Sequence, residues 1–308
     1  MGQYMIENVL LFSFSGTGST HLISSMLAEH FRNLHANVTE YRIEELKNDR
    51  LPDTGGADVI GIGYPVHAFN APRPVVDFIQ RFPASKPGIR VFFFRVSGEP
   101  FAFNNAASAM LYRHLRKKGY DIVFERHFLM PYNIVFRYPD ALVKQMVLTN
   151  RKLTRGMAKS ILMETREIKK YALRHRAVSF VFRMLQWPGA RLNGRLYRVN
   201  KSCTRCMQCV RECPSGNIRL ERGRIKFGWR CYMCMRCVMH CPEQAIRIGL
   251  LSLWAVRGAY DFAAIAADQK IPAGFIGRDT KGYFRTFRRY YRWAEKKIED
   301  ELNHQTKG

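Results

Sequence analysis

The N-terminal part of the chain alternates short apolar runs with amphipathic stretches. Met5 to Ser13 is an apolar run of strand length, followed by the polar loop Ser15-Gly16-Thr17-Gly18-Ser19-Thr20 and then a helical period through His21, Ile23, Met26, Leu27 and Phe31. Further strand-length segments are Asn37 to Arg42, Ala57 to Gly63, Ile89 to Val96 and Asp121 to Leu129, with helical patterns between them. Asp58 to Gly63, read Asp-Val-Ile-Gly-Ile-Gly, is almost continuously apolar, as a strand covered on both faces requires. Such alternation predicts an α/β domain with a doubly wound parallel sheet over residues 1–150.

Ligands of doubly wound sheets bind beyond the carboxyl ends of the strands, near the switch in strand order. That makes candidates of the loops Ser15 to Thr20, Tyr64 to Asn70 and Ser97 to Phe103. In the first, small and hydroxyl residues leave backbone N–H groups free to face an anion at the positive end of a helix. The same residues also make an ordinary capped helix start, so this loop alone does not decide between them.

Past residue 200 the chemistry is carried by cysteine. Cys203-x2-Cys206-x2-Cys209-x3-Cys213-Pro214 and Cys231-x2-Cys234-x2-Cys237-x3-Cys241-Pro242 use all eight cysteines of the chain. Three thiolates two residues apart converge on one cubane, while the fourth, before proline, reaches the neighbouring one. The expected ligand sets are therefore Cys203, Cys206, Cys209 and Cys241 for one 4Fe-4S cluster, and Cys231, Cys234, Cys237 and Cys213 for the other. A zinc site would need neither the third cysteine nor the Cys-Pro ending. Disulfides would need an oxidising compartment, and the chain opens with no secretory pattern, so a cytoplasmic location is expected. The repeat is wider than the ligands: a shift of 28 positions carries Cys203–Ile218 onto Cys231–Ile246, with Val210 on Val238 and Pro214 on Pro242.

This half resembles a bacterial-type ferredoxin with two 4Fe-4S clusters, a small α+β fold whose family role is one-electron transfer; the likeness spans about Asn200 to Gly249. The N-terminal half resembles flavodoxins, because Phe14-Ser15-Gly16-Thr17-Gly18-Ser19-Thr20 is similar to their FMN-phosphate loop at the end of the first strand. The resemblance implies that Ser15, Gly16, Thr17, Gly18, Ser19 and Thr20 hold the phosphate of FMN. By position it also implies that Tyr64, Pro65, Val66 and His67, and Ser97, Gly98, Glu99, Pro100 and Phe101, flank the flavin ring, with Tyr64, Phe69, Phe101 and Phe103 as candidate stacking groups. A flavodoxin followed by a ferredoxin resembles the flavodoxin-ferredoxin fusion proteins of anaerobes. The cofactors implied are two 4Fe-4S clusters and FMN, and the implied role is electron transfer.

Charge separates this chain from both parent families, whose members are generally acidic. Its formal net charge is +25 over 308 residues. The excess is greatest between Arg151 and Asn200, where 13 Lys and Arg face only Glu164 and Glu167. This implies an acidic redox partner (a ferredoxin, flavodoxin or reductase) brought in by electrostatic steering. Residues 151–199 read as a basic helical linker, 200–250 as the ferredoxin domain, and 251–308 as a basic, aromatic C-terminal helical extension.

Two segments, Val178 to Trp187 and Tyr283 to Trp293, interleave aromatics with arginine. This composition suits an anionic membrane interface, although the preferred reading makes the aromatics the inner faces of helices that clamp the two domains together. No nucleic-acid-binding motif accompanies them, which argues against DNA or RNA. Neither segment is long or apolar enough to span a bilayer. The leading functional expectation is a carrier passing electrons between an acidic partner, the clusters and FMN. The alternatives are a flavin-dependent reductase of a small molecule, and a flavin-free ferredoxin whose N-terminal domain is a docking platform.

Overall fold

The computed structural model describes residues 6–46, 51–85, 88–169 and 171–303. Met5, the expected start of the first strand, lies outside them. The first elements are β1 (Asn8–Ser13), α1 (Ser19–Asn33), β2 (Asn37–Arg42), β3 (Val59–Pro65), α2 (Arg73–Arg81), β4 (Arg90–Ser97), α3 (Ala109–Lys117) and β5 (Asp121–Leu129). Their five strands are all parallel, in the order β2-β1-β3-β4-β5. That is the flavodoxin order, with its switch point between β1 and β3.

Side-chain alternation along the strands divides the core into two layers. Leu11, Val59, Phe92, Phe94 and Phe124 face α1, where Ile23, Leu27 and Phe31 cover them. Phe12, Ile60, Ile62 and Phe93 point the other way, onto Val75, Ile79 and Leu111 of α2 and α3. The glycines of β3 have a packing role: a Cβ on Gly61 or Gly63 would meet the ring of Phe92 or Phe94 at 2.4 or 2.0 Å.

The helix α4 (Asp140–Leu162) runs through the domain boundary expected at residue 150. Its stripe of Leu142, Val143, Met146, Leu153, Met157 and Ile161 is buried without a break and packs beside α1. The basic residues that suggested a boundary occupy its outer face, so the charge changes at 150 while the apolar period does not. Next comes α5 (Leu173–Arg195), within the expected linker.

The cysteine-rich domain is built from two short hairpin-like pairs and two single-turn helices: β6 (Arg198–Val199), α6 (Gln208–Arg211), β7 (Ile218–Glu221), β8 (Arg224–Phe227), α7 (Arg236–Met239) and β9 (Ile246–Arg247). β6 pairs antiparallel with β9, and β7 with β8. Finally, α8 (Phe262–Ala267) and α9 (Arg288–Asn303) return to pack on α4.

Of the two Arg-aromatic segments, the second packs inward: Phe287, Tyr290 and Tyr291 are buried, and the Tyr290 hydroxyl donates to the His127 carbonyl at 3.1 Å. They cover the sheet domain itself, however, and do not clamp the cysteine-rich domain onto it. In the first segment Trp187 packs against the core and the Phe182 ring meets Phe69 at 5.0 Å, as an inner face would, but Phe180, Val181, Met184 and Leu185 are exposed, against that expectation. The side of α5 that meets the protein carries the small and polar residues Ser179, Ala190, Asn193 and Gly194, together with partly buried Trp187.

Candidate cofactor sites at the junction of the two domains

The 28-residue repeat is also present in the backbone. Arg205 and Met207 have φ of 59° and 64°, and their counterparts Met233 and Met235 have 54° and 64°. A left-handed residue on each side of Cys206 and Cys234 curls each run, so that its first three thiols face one point. The crossed sets follow: one small cavity is lined by Cys203, Cys206, Cys209 and Cys241, and a second by Cys213, Cys231, Cys234 and Cys237. Backbone amides of Met233, Asn217 and Ala245 donate to the sulfurs of Cys231, Cys213 and Cys241, each at 3.3 Å. Burial, reinforced by neighbouring thiols, raises Cys209 to about 11, and burial likewise raises Cys234 to about 11 and Cys231 to about 12. Metal binding at these sites must therefore displace protons. Four convergent sulfurs per cavity with amide donors around them fit an iron-sulfur cluster.

The second cysteine loop sits directly on the Ser15–Thr20 loop. A Cβ built on Gly16 would lie 1.9 Å from the Cys234 carbonyl oxygen, so only glycine admits this contact. Arg236 donates to the carbonyls of Ser15 at 2.6 Å and Gly16 at 3.1 Å, and pairs with the Glu44 carboxylate. His21 bonds the same carboxylate at 2.8 Å. Burial would push Glu44 up, but the hydrogen bond from His21 and the positive charges of His21 and Arg236 outweigh it and hold the carboxyl below its usual range.

Because the folded carboxyl titrates lower than the unfolded one, its contribution is complete above the unfolded value, about 4.3, and is lost as pH falls through the folded value. Glu44→Gln is therefore expected to lower the unfolding midpoint at neutral pH, with the gap to the parent closing as pH drops below about 4. A gap constant over the titration would show that the Glu44 charge does not support the junction.

Within the loop, the Ser15 hydroxyl accepts from the Gly18 and Thr20 amides at 3.0 and 3.2 Å, and the Thr17 hydroxyl donates to Asn133 at 2.9 Å. Gly18 caps α1 with φ 95°. The Thr20 hydroxyl is buried and has no hydrogen-bond partner, an acceptor and donor left over beside a helix N-terminus. Ser19 opens onto a large cavity of about 430 Å³, within the range of small-molecule and cofactor pockets.

Pro65, Val66, Ser97 and Gly98 line that cavity, as do His67, Phe69 and Phe101. Tyr64 does not: it is fully buried in the α3 layer, its hydroxyl paired with Ser108 beside Glu125. β-strand alternation explains the correction, since Tyr64 follows Gly63 onto the opposite face of β3. Phe103 stands behind Phe69, with ring centroids 5.6 Å apart, and is not among the lining residues. Burial lowers His67 to about 4, which leaves it neutral at physiological pH.

Three groups of lining residues were not anticipated. Met130 to Ile134 come from the loop after β5, Phe182 and Gln186 from α5, and Met233 and Met235 from the second cysteine run. The first obeys the same strand-end rule as the other loops and was open to prediction. Met233 and Met235 also line the second cysteine cavity, so one layer of methionine separates the two cavities.

Residues 195–242 match the family model described as a 4Fe-4S dicluster domain. Solved structures similar to the N-terminal half include flavodoxins. One from the domain Archaea has 13% identity, covering 50% of this chain and 98% of its own, with a TM-score of 0.35. Another, from Streptococcus pneumonia TIGR4, has 14% identity, 51% and 99% coverage and a TM-score of 0.38. The two-electron reduced flavodoxin of Megasphaera elsdenii has 20% identity, 49% and 98% coverage and a TM-score of 0.36. No curated protein matches the chain. The parallel sheet order and the dicluster domain together support an electron-transfer role.

Proposed function

We propose that this chain is an internal electron wire from a cluster near the surface, through a second cluster, to FMN in the large cavity. The observation that carries the reading is the pair Met233 and Met235, shared by the second cysteine cavity and the large one. When bound, the clusters exchange single electrons, and the flavin takes up or releases them singly or in pairs.

The residues divide the work. Cys203, Cys206, Cys209 and Cys241 hold the outer cluster, and exposed Cys206 with exposed Arg205 and Lys201 beside it offers an acidic donor a docking point. Cys213, Cys231, Cys234 and Cys237 hold the inner cluster. Ser19 and Thr20, with the N-terminus of α1, bind the phosphate, while Pro65, Val66, Ser97 and Gly98 bound the ring and Phe69 and Phe101 exclude water from it. The reductase alternative draws on one further observation, that titratable His67, Glu99 and Tyr132 all line the same cavity.

Anaerobic purification with iron, sulfide and flavin determination tests the proposal, with about eight iron and one FMN per chain expected. Eight iron with no flavin, even after FMN is supplied, would leave the docking-platform reading. Thr20→Val, which keeps the shape and removes the unpartnered hydroxyl, is expected to weaken FMN binding about tenfold or more without loss of iron. Unchanged flavin affinity would remove Thr20 from the phosphate site.

A further inference from the structure

The helix α5 carries apolar side chains on its outward face. Its buried side carries Ser179, Ala190, Asn193 and Gly194, while Val181, Met184, Leu185 and Leu192 are exposed by 54, 60, 65 and 51%. Their spacing places these four on one stripe, where a helix facing water would carry polar groups. Exposed Arg174, Arg191 and Arg195 lie on the same side. The turn at residues 249–254 packs against the C-terminal end of α5, with the Leu250 amide donating to Asn193 at 3.0 Å. There Leu253 and Trp254 are exposed by 93 and 52%. An apolar patch of this extent marks an interaction surface.

We propose that this face of α5, together with the 249–254 turn, seats on an anionic lipid surface. Apolar side chains flanked by guanidinium groups match the boundary between acyl chains and anionic headgroups, with the helix lying in the plane of that boundary. No helix among the described residues is long and apolar enough to cross a membrane, so the contact is peripheral. Charge argues against a second copy as the occupant, because twofold pairing of this patch would bring like-charged arginines together. Phe182 also lines the large cavity, so the seated face would hold the cavity mouth at the bilayer. The inference does not depend on which cofactors occupy the protein.

The test is sedimentation of the cluster-loaded full chain with vesicles of phosphatidylcholine, alone or with about one third phosphatidylglycerol. Binding to the anionic vesicles is expected, with weaker binding to the neutral ones. Combined Val181→Glu and Leu185→Glu should weaken it about tenfold or more while leaving the cluster absorption unchanged. Leu253→Glu, on the separate turn, should weaken it as well. Absence of sedimentation with anionic vesicles would overturn the proposal. So would undiminished binding by these variants, which would mean charge alone is at work. Self-association abolished by the same variants, without lipid binding, would make a second copy the occupant and overturn it too.

Discussion

Gly16→Val is expected to part the sheet domain from the cysteine-rich domain. The atom a Cβ would strike is the backbone carbonyl oxygen of Cys234 at 1.9 Å, with the carbonyl carbon at 2.9 Å, and neither can rotate aside as a side chain would. Relief requires the cysteine loop to lift, which withdraws Arg236 from the Ser15 and Gly16 carbonyls and exposes the otherwise buried Glu44. Overpacking of this kind costs about 1–3 kcal/mol or more. Faster proteolysis in residues 163–172, between α4 and α5, would register the separation. Slower passage of electrons from a cluster-directed donor to bound flavin would register the same event functionally. Gly56→Ala is the control, because a Cβ there meets nothing within 4 Å. A Gly16→Val protein with the stability and proteolysis pattern of that control would show that the junction is not a close-packed contact.

Glu125→Ala should be the most destabilising single change in the sheet. Arg95 and Glu125 project from β4 and β5 into the α3 layer, 2.6 Å apart, with no exposed side-chain area on either. Removing one member of such a pair strands the other charge in the core, at a cost of about 3–5 kcal/mol. A fall in unfolding temperature of about 10 °C or more follows for a domain of this size. Replacing both, Arg95→Met with Glu125→Leu, should recover much of the loss, since an apolar pair carries no desolvation cost. A drop below about 1 kcal/mol for Glu125→Ala would mean that water reaches Arg95 and that the pair is effectively a surface one.

The legible parts of this molecule were those dictated by local rules. Strand-length apolar runs located all five sheet strands, with Asn37–Arg42 and Asp121–Leu129 matching the observed limits. The spacing of eight cysteines was enough to anticipate the crossed sets, because each loop's reach is set by its own backbone. What escaped notice depends on tertiary contact. Met233 and Met235 read as filler between ligands until the second run is seen resting on the Ser15–Thr20 loop and lining the large cavity. Arg236 stands inside a cysteine run, yet its side chain turns to Glu44 in the other domain. Tyr64 was carried over by its place in a loop, whereas the alternation of β3 puts it with Ile60 and Ile62 in the α2–α3 layer. The outward apolar face of α5 eluded the reading for a different reason: a stripe of Val, Met and Leu is normally assigned to the core, and periodicity carries no sign for inside or outside.

The buried Arg126 adds a constraint in time. Its guanidinium, with no exposed area, reaches Glu301 at 2.6 Å, 175 residues further along the chain, and Gly156 of α4 leaves the space that the Glu301 carboxylate fills. Glu167 is nearer in sequence but more distant in space, at 3.4 Å, and 28% exposed. On a ribosome adding about 5–20 residues per second, the sheet would wait roughly ten to thirty-five seconds for its second carboxylate. Both cysteine runs emerge during that interval, so cluster insertion and closure of the sheet by α9 overlap in the nascent chain. The last helix thus acts as a latch that shuts after the metal-binding segment has been made.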